Sequence, residues 1–503
     1  MKKFQTTVGI LLLCKLISAQ DISTFCISVA GPNYDRNLCG TITYDGNYVA
    51  GGIVDLGLDQ NNFVAKCNGD GTLLWSHTIG TTFVDDYYGL TETSDHSIIA
   101  VGYAGGKLIM TKWDSEGNEQ WNKQISALSS NVASDITETT DGNYLITGDI
   151  EDLLSGWRYC AVLKISPDGD LVWEKYFHNI YHAEQGYSCI ETADHRYVIS
   201  GYSSAFSNQT FIFSLSEDGV LQWVKKTVDG GVGYDLVATP DSSVILAGYS
   251  CNVSDCNPML MKIDSAGNMQ WSYTYGDSLF GRFYAIDILP DGALVMGGDA
   301  TDQLTVFHGF IVKTDADGQM LWGKINDFTE VRSIGATPDG KIIMSGTGGG
   351  GFGISKVDPD GNGCAECSMT DYGLQGEGTT LTEWDLSEFT TTTSISDFTS
   401  SPTELTLVVT LYCSEENVAV NNEDYGRLFI SPNPADDYVK LLLPGLEDHW
   451  EVMIADAWGR NITTIQSGAD AVIRISTRDL PNGIYFLHDS NNHFSSELIV
   501  AHH

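Results

Sequence analysis

A turn followed by a strand that ends in glycine recurs seven times along this chain. The turns contain Asp45, Asp95, Asp141, Asp194, Asp241, Asp291 and Asp339, at steps of 50, 46, 53, 47, 50 and 48 residues. Six of the units end in a tryptophan-containing strand, at Trp75, Trp121, Trp173, Trp223, Trp271 and Trp322. A unit of this length cannot bury its own apolar face, and radial stacking of four-stranded units gives a β-propeller. The sequence therefore predicts an all-β protein whose main domain is a seven-bladed β-propeller.

The register of the repeat also predicts how the ring closes. The seventh unit ends near Cys364 without a tryptophan strand, whereas residues 25–29 have the pattern of a fourth strand that precedes the first unit. We expect this N-terminal strand to complete blade seven, because such an overlap removes two exposed sheet edges. On this interpretation the propeller occupies residues 20–367.

The N-terminus has the composition of a secretory signal peptide. Lys2 and Lys3 precede an apolar run, and small residues lead up to Ala19, so residues 1–19 are expected to be removed during export. Cys14 follows two leucines rather than small residues, which makes it a poor site for lipid attachment. No later apolar run is long enough for a transmembrane segment. The formal charge of −40 repels nucleic acid and anionic lipid, and we expect no nucleic-acid partner.

One face of the predicted propeller should carry the irregular loops. The two tight turns of each unit must share a face, because antiparallel strands alternate their ends. The opposite face then receives the loops between second and third strands and the crossings between blades, where the sequence varies most. A rigid scaffold that presents variable loops is the usual geometry of a binding face. We therefore expect function on this loop face.

The crossing after blade three contains the richest set of titratable residues. His178, His182 and Glu184 lie close together there with Tyr187. Imidazoles with a carboxylate can bind a divalent metal, and a His–Tyr pair can abstract the proton beside a uronate carboxylate. The alternative is a solvated polar loop whose aromatic residues pack inward. Neither metalloprotease spacing nor a nucleophile motif accompanies these residues, and we expect no resident metal ion.

A second candidate set lies where the crossings enter the first strands. Its members are arginines and tyrosines that would surround the mouth of the central channel: Arg36, Tyr88, Tyr234, Arg282, Tyr284 and Arg332. Such side chains can hold a sugar, a peptide carboxylate or an anionic glycan. Alternatively, each arginine pairs with a neighbouring acid, such as Glu330, and holds two blades together.

The third strand of each unit leads through a turn to the tryptophan, as in Lys313-Thr314-Asp315 followed by Gly318 and Trp322. This pattern indicates a hairpin turn and an indole that docks between blades. The alternative is calcium bound by oxygen ligands such as Asp315 and Asp317. The spacing resembles the tryptophan-docking repeat of pyrroloquinoline-quinone dehydrogenases. Seven units and the lack of a vicinal cysteine pair depart from that family, so no cofactor is expected.

The cysteines of an exported chain can oxidise. The disulfide candidates are Cys251, Cys256, Cys26, Cys364, Cys367 and Cys413. The first two bracket a short loop and are expected to pair. Cys26 begins the closing strand near Cys364 and Cys367, so a bridge there would lock the ring, and Cys367 with Cys413 is the competing choice. Zinc binding by Cys364 and Cys367 lacks a second pair with matching spacing.

The periodicity stops in the C-terminal part of the chain. Residues 368–424 are rich in Thr and Ser and indicate a linker or an accessory β-element. The last segment opens with Ser431-Pro432-Asn433-Pro434 and later contains Leu480-Pro481-Asn482-Gly483-Ile484-Tyr485 before a final strand. These motifs resemble the C-terminal sorting domain of the type IX secretion system, found in Bacteroidetes. The resemblance covers residues 425–503 and implies a small β-sandwich that directs the chain through the outer membrane.

Two functions from different classes remain open at this point. One is a secreted or cell-surface propeller that binds a glycan or a protein through the loop face without catalysis. The other is a carbohydrate-active enzyme, either a polysaccharide lyase or a glycoside hydrolase, that uses the same face. The absence of a recognisable catalytic set favours the binding protein. The implied partner of residues 425–503 is the secretion machinery, and the implied route passes through the periplasm.

Overall fold

The computed structural model describes residues 25–363 apart from short gaps at 31–35, 56–59, 70, 82–83, 127–129, 152–155, 179–182, 205–207, 252–255, 276–279, 302–306, 327 and 349–350. Beyond residue 363 it describes thirteen strands between 370 and 500. The signal peptide expected at residues 1–19 lies outside the described residues. All secondary structure among the described residues is β-strand, which confirms the predicted fold class.

Seven antiparallel sheets form the blades of a propeller, and the first strand of each blade lines the central channel. Blade 1 consists of β2 (Arg36–Ile42), β3 (Tyr48–Asp55), β4 (Gln60–Cys67) and β5 (Leu73–Ile79). Blade 2 consists of β6 (Asp85–Glu92), β7 (Ile98–Ala104), β8 (Lys107–Trp113) and β9 (Glu119–Ser126). Blade 3 consists of β10 (Ser130–Glu138), β11 (Tyr144–Glu151), β12 (Arg158–Ile165) and β13 (Leu171–His178).

The other four blades repeat this arrangement. Blade 4 consists of β14 (Glu184–Glu191), β15 (Tyr197–Ser203), β16 (Gln209–Leu215) and β17 (Leu221–Thr227). Blade 5 consists of β18 (Gly230–Ala238), β19 (Val244–Cys251), β20 (Cys256–Ile263) and β21 (Met269–Tyr275). Blade 6 consists of β22 (Gly281–Ile288), β23 (Leu294–Thr301), β24 (Phe307–Thr314) and β25 (Met320–Ile325). Blade 7 contains β26 (Glu330–Ala336), β27 (Ile342–Gly348) and β28 (Gly351–Val357).

The fourth strand of blade 7 comes from the N-terminus. Strand β1 (Phe25–Ala30) pairs antiparallel with β28, with Phe25 opposite Lys356. This is the position that the repeat register predicts for the closing strand. The seam between blades 7 and 1 is also packed, because the rings of Phe63 and Phe352 stack with their centroids 4.7 Å apart. The Tyr48 hydroxyl lies 2.8 Å from the Ser345 hydroxyl across the same seam.

Apolar clusters fill every interface between neighbouring blades. The repeat tryptophans pack at the outer part of these interfaces. The Trp223 indole N–H donates to the Ser265 carbonyl at 3.1 Å, in the turn of the next blade. A Cβ on Gly267 in that turn would collide with the same indole. The tryptophans are therefore scaffold residues, and glycine in the turn leaves room for them.

The repeated aspartate and lysine form a second scaffold element. In blade 3, the buried Lys164 ammonium donates to Asp141 at 2.6 Å and to the Tyr197 hydroxyl of blade 4 at 2.7 Å. Equivalent lysine–aspartate pairs occur in blades 1, 2, 5 and 6. Asp315 accepts backbone N–H groups of Asp317 and Gln319 within its own turn. These contacts are the ones expected if Asp315 stabilises a hairpin turn.

Short strands from residues 370–414 run around the rim of the propeller; we call this segment the rim belt. Its strands are β29 (Thr370–Asp371), β30 (Gln375–Glu377), β31 (Leu381–Glu383), β32 (Ser387–Phe389), β33 (Ser394–Asp397) and β34 (Val408–Ser414). They add a fifth strand to blades 6, 5, 4, 3, 2 and 7, in that order. The tryptophan strands are thus covered by a further strand in blades 2–6. The sequence indicates either a linker or an accessory β-element in this region. The observed strand pairing agrees with an accessory β-element.

The C-terminal segment forms two antiparallel sheets. The first contains β35 (Phe429–Ser431), β36 (Tyr438–Leu442) and β39 (Val472–Ser476). The second contains β37 (Glu451–Asp456), β38 (Asn461–Gln466), β40 (Gly483–Asp489) and β41 (Ser495–Val500). The segment is therefore a separate β-domain after the rim belt. Its boundaries, like those of the propeller, stay predictions.

Candidate functional site

The first strand of every blade contains a β-bulge. At each bulge the register with the second strand shifts by one residue, and the extra residue has no partner. A bulge re-aims side chains and is common beside functional sites. In chain order the unpaired residues are Leu38, Tyr88, Ser134, Tyr187, Tyr234, Tyr284 and Arg332. All seven line the central channel.

A glycine in the second strand makes each bulge possible. Gly248 pairs with Gly233 just before the bulged Tyr234, and a Cβ on Gly248 would collide with the Val232 carbonyl oxygen. A Cβ on the equivalent glycine of the second strand would collide in the same way in the other six blades. Glycine is therefore needed because the first strand approaches too closely for any side chain. The glycine therefore recurs in the sequence because each first strand bulges against it.

The bulges of blades 4 to 7 bring their side chains into contact. The Tyr187 and Tyr234 ring centroids are 5.2 Å apart, and those of Tyr234 and Tyr284 are 4.9 Å apart. The guanidinium carbon of Arg332 lies 3.8 Å from the centroid of the Tyr284 ring. Such stacking of a guanidinium on an aromatic face is favourable. The result is a continuous tyrosine–arginine cluster along one side of the channel, which we call the tyrosine cluster.

The aromatic surface continues outward over blades 5 and 6. Tyr249 lies 6.1 Å from Tyr234 and 6.2 Å from Phe280, measured between ring centroids. Phe280 in turn lies 6.5 Å from Phe307, whose residue surface is 43% exposed. The Arg282 guanidinium lies 4.9 Å from the Phe280 centroid. The tyrosine cluster is therefore the inner end of an aromatic track that reaches the exposed loop face.

Every arginine at the channel mouth has an acidic partner. Arg332 donates to Glu330 at 2.6 Å, and Arg282 Nε donates to Asp299 at 3.0 Å. Two further pairs complete the set: Arg158 with Asp149 at 2.9 Å, and Arg36 with Glu330 at 3.6 Å, the latter joining blades 1 and 7. Among the residues that the structure describes, and counting Asp86, which accepts from the Tyr88 hydroxyl at 2.6 Å, these four arginines face four carboxyl groups. The charges of these described residues therefore nearly cancel.

Burial keeps the tyrosines of this region neutral. It raises the pKa of Tyr187, Tyr234 and Tyr284 above the usual range, and neighbouring Tyr234 adds to the effect on Tyr187. Around Tyr284, burial and the Asp299 carboxylate outweigh the two arginines, which act in the opposite direction. A tyrosine with a raised pKa stays protonated, so its hydroxyl remains available as a hydrogen-bond donor and is not a ready base. These residues suit binding better than base catalysis.

The carboxyl groups at the mouth differ in their protonation. Burial raises the pKa of Asp149 to about 6, although Arg158 opposes the effect. Burial likewise raises the pKa of Asp86. Glu330 is also desolvated, yet Arg332, Arg36 and the Thr347 hydroxyl together outweigh burial and hold its pKa below the usual value. Arg332 Nε and one oxygen of Asp86 are among the buried polar atoms of the described residues that lack hydrogen-bond partners. Such buried polar atoms favour a polar ligand that satisfies them.

Deeper in the channel, buried aspartates join neighbouring blades. Asp135 accepts the Cys189 N–H at 2.9 Å, Asp235 accepts the Ile286 N–H at 2.9 Å, and Asp287 accepts the Ala336 N–H at 2.7 Å. Burial raises the pKa of all three, and that of Asp235 reaches about 7 because Asp135 adds repulsion. Asp135 and Asp235 directly follow the bulged residues of their strands, and Asp287 lies three residues after the bulged Tyr284. The bulges therefore also help to position these aspartates.

The channel encloses a cavity of about 1440 Å³. Pockets for drug-sized ligands usually measure about 300–1,000 Å³, so the cavity has room for a ligand of several rings. Tyrosine rings, guanidinium groups and carboxyl groups share its wall near the loop face. This combination can stack against flat apolar faces while hydrogen bonding to hydroxyl or amide groups.

The C-terminal region matches a known protein family. Residues 430–501 match the family model described as a secretion system C-terminal sorting domain. The tail is a sorting domain. Domains of this kind belong to the type IX secretion system, as the motifs at Ser431 and Leu480 predict, and they indicate export to the cell surface or beyond it. Within the described part of the chain, no helix has the length and hydropathy that a membrane span requires.

Several solved structures are similar to this chain at low identity. The WD40 β-propeller domain of Doa1 is 11% identical, with a TM-score of 0.44 over 66% of this chain and 97% of that chain. The Dos1 propeller is 10% identical, with a TM-score of 0.43 over 68% and 96%. Sqt1 from Chaetomium thermophilum is 10% identical, with a TM-score of 0.40 over 64% and 82%. Likeness at this level carries no argument about function. No curated protein matches the chain.

The residues of the predicted binding set lie together. Arg36, Tyr88, Tyr234, Tyr284 and Arg332 line the cavity. Arg282 stands beside them, with its guanidinium carbon 5.2 Å from the Tyr284 centroid. Both sequence interpretations describe part of what is seen, because the arginines pair with acids and also pack on the tyrosines. Sequence reasoning missed Asp86, Asp149 and Arg158, which lie near the ends of β6, β11 and β12 and carry no repeat signal.

The candidate catalytic residues do not converge among the described residues. His178 lies in the fourth strand of blade 3, and its ring centroid is 4.9 Å from that of Tyr159. Glu184 is fully buried and accepts from the Ser203 hydroxyl at 3.2 Å. Tyr187 lines the channel as part of the tyrosine cluster, at the opposite edge of the blades from His178. His182 lies outside the described residues. His178 is separated from Glu184 and Tyr187 because the chain crosses from the fourth strand of blade 3 to the first strand of blade 4 between them.

The cysteines are only partly accounted for. Cys251 and Cys256 are joined by a disulfide, as the short loop between them predicts. Cys39, Cys160 and Cys189 are buried free thiols, and Cys67 is buried as well. Cys364 and Cys367 lie outside the described residues, and the pairings expected for them stay predictions.

Proposed function

We propose that this chain is an exported propeller protein that binds a glycan at the loop-face mouth of its channel and does not transform it. The observation that carries the proposal is the tyrosine cluster, which the bulges of blades 4 to 7 position along one side of the cavity. The apolar faces of sugar rings pack on aromatic rings, while their hydroxyl groups need several donors and acceptors. The cluster and its paired charges offer both.

The charge balance favours a neutral glycan over a polyanionic one. A site for a strongly acidic polysaccharide needs arginines with free charge, yet each arginine at the mouth already faces a carboxylate. The overall charge of −40 adds long-range repulsion of anions. We therefore favour a neutral or weakly charged oligosaccharide that extends from the channel along the aromatic track to Phe307.

A second candidate is a carbohydrate-active enzyme at the same site. It is favoured by Asp149, whose pKa of about 6 suits a general acid near neutral pH. The pairing of Asp149 with Arg158, and the raised pKa of the neighbouring tyrosines, favour binding. For export, we propose that residues 1–19 carry the chain to the periplasm and that residues 425–503 then engage the type IX machinery.

A glycan array and a degradation panel separate the two candidates. The secreted chain is applied to immobilised glycans, and the same preparation is incubated with the corresponding soluble polysaccharides. We expect retention of neutral glycans with neither new reducing ends nor unsaturated products. Product formation that is lost in an Asp149→Asn variant would establish the enzyme instead. Failure to retain any glycan, in a preparation with a cooperative melting transition, would refute the glycan proposal.

A further inference from the structure

Cys26 and Cys413 occupy opposite positions where the rim belt ends. Strand β34, the last of the belt, pairs antiparallel with β1, the strand that closes the ring. In this pair Phe25 is opposite Ser414, Cys26 is opposite Cys413, and Ile27 is opposite Leu411. Two cysteines far apart in the chain are thus register partners in neighbouring strands.

This register matches the geometry that a disulfide requires. Residues opposite each other in an antiparallel pair have Cα atoms about 4.5–5.5 Å apart, and a disulfide needs about 4.4–6.8 Å. The chain itself contains the same relation once more. Cys251 and Cys256 are register partners in β19 and β20, and they are bonded. The buried free thiols of Cys39, Cys160 and Cys189 have residues other than cysteine as their register partners.

We propose that Cys26 and Cys413 form a disulfide that fastens the rim belt to the ring-closing strand. The bond forms during export by thiol–disulfide exchange with the disulfide of a donor protein. One thiolate attacks the donor disulfide and forms a mixed disulfide; the second thiolate then displaces the donor. The donor leaves as a dithiol, having taken up the two electrons, and the two cysteine protons pass to it or to water.

The position of the bond gives it a mechanical role. Strand β1 is joined to the rest of the ring by the chain that leads into blade 1, and β34 is the last strand before the sorting domain. A bond between them encloses the blades and the rim belt in one covalent loop, from residue 26 to residue 413. The ring then stays closed when the tail is pulled or removed. This proposal does not depend on the glycan site.

Peptide mapping of the secreted full-length chain tests the proposal. Free thiols are alkylated without reduction, and the chain is cleaved after Lys and Arg and then after Glu. Cleavage after Glu is needed because no Lys or Arg lies between Lys356 and Arg427, whereas Glu366 and Glu404 separate the other cysteines from Cys413. We expect a cross-linked pair of peptides that contains Cys26 and Cys413 and separates on reduction.

Two variants make the result specific. Cys413→Ser should render Cys26 fully open to alkylation, whereas the matched Cys251→Ser variant should leave the Cys26–Cys413 pair intact. Alkylation of both Cys26 and Cys413 in the wild-type chain would overturn the proposal. A link from Cys26 to Cys364 or Cys367 would also overturn it. Because the wild-type map decides the question, poor folding of a variant does not affect the test.

Discussion

Gly248→Ala should damage both the stability of blade 5 and its contribution to the channel. The new Cβ would collide with the Val232 carbonyl oxygen and crowd the Cα of Gly233. Both obstacles are backbone atoms, so no side-chain rotation can relieve the collision. The first strand must move away or lose its bulge. Either response displaces Tyr234, whose ring packs between those of Tyr187 and Tyr284.

The expected loss of unfolding free energy is about 2–4 kcal/mol, the upper range for overpacking against unyielding neighbours. Gly69→Ala is the matched control. Its Cβ would find only the Gly46 carbonyl, at an ordinary contact distance of 3.4 Å, so the change should stay within about 0.5 kcal/mol.

Thermal unfolding, followed by tryptophan fluorescence, measures both variants. One kcal/mol shifts the melting temperature by about 2–4 °C in domains of 150–250 residues and by less in larger ones. We therefore expect a fall of several degrees for Gly248→Ala and almost none for Gly69→Ala. Equal melting temperatures for the two variants would refute the claim that glycine is needed for the bulge.

Three further predictions concern the scaffold and its protonation. Lys164→Met should cost about 1–3 kcal/mol, because the buried Tyr197 hydroxyl loses its partner; an unchanged melting temperature would contradict this. Trp223→Phe should cost about 1 kcal/mol through loss of the indole hydrogen bond, and a change in glycan affinity would contradict its assignment to the scaffold. Asp149 has a pKa of about 6, above the unfolded value near 3.9. Its contribution to stability is therefore full below about pH 4 and is lost as the pH rises through 6. The melting temperature of Asp149→Asn should fall less between pH 4 and 7 than that of the wild type, and parallel pH profiles would contradict the assigned pKa.

The sequence predicts the propeller scaffold of this protein because the scaffold is built from a repeated unit. The Asp turns and tryptophan strands recur at nearly constant steps, so the blade count and the position of the N-terminal strand follow from register alone. The export tail also carries motifs strong enough to be recognised. Each of these features depends on short local patterns that the fold preserves.

The bulges cannot be predicted from the sequence of a single blade, because one extra residue in a short strand leaves no propensity signal. A signal does exist across blades. The bulged residue lies 14 positions before the glycine of the second strand in every unit, as Tyr234 lies before Gly248 and Arg332 before Gly346. Aligning the units on that glycine would have placed Tyr187 in the channel rather than beside His178.

The rim belt could not be predicted for a different reason. Its strands are two to seven residues long, and residues 370–397 are too polar and too short to specify strands alone. Their pairing depends on the exposed edge that each blade offers. Local sequence therefore left a choice between linker and β-element that only the edges of the blades could decide.

Glycan affinity of matched tyrosine variants tests the central claim most directly. An oligosaccharide selected on the array is titrated calorimetrically into the wild type, Tyr234→Ala, Tyr234→Phe and Tyr44→Ala. Tyr44 is 82% exposed at the turn end of the channel and serves as the control for the opposite face. We predict that Tyr234→Ala weakens binding about tenfold or more, the loss of roughly 1.5–3 kcal/mol expected for an aromatic anchor. Tyr234→Phe and Tyr44→Ala should stay close to the wild type. Equal affinities for Tyr234→Ala and the wild type, or a larger loss in Tyr44→Ala, would contradict a binding site at the loop-face mouth.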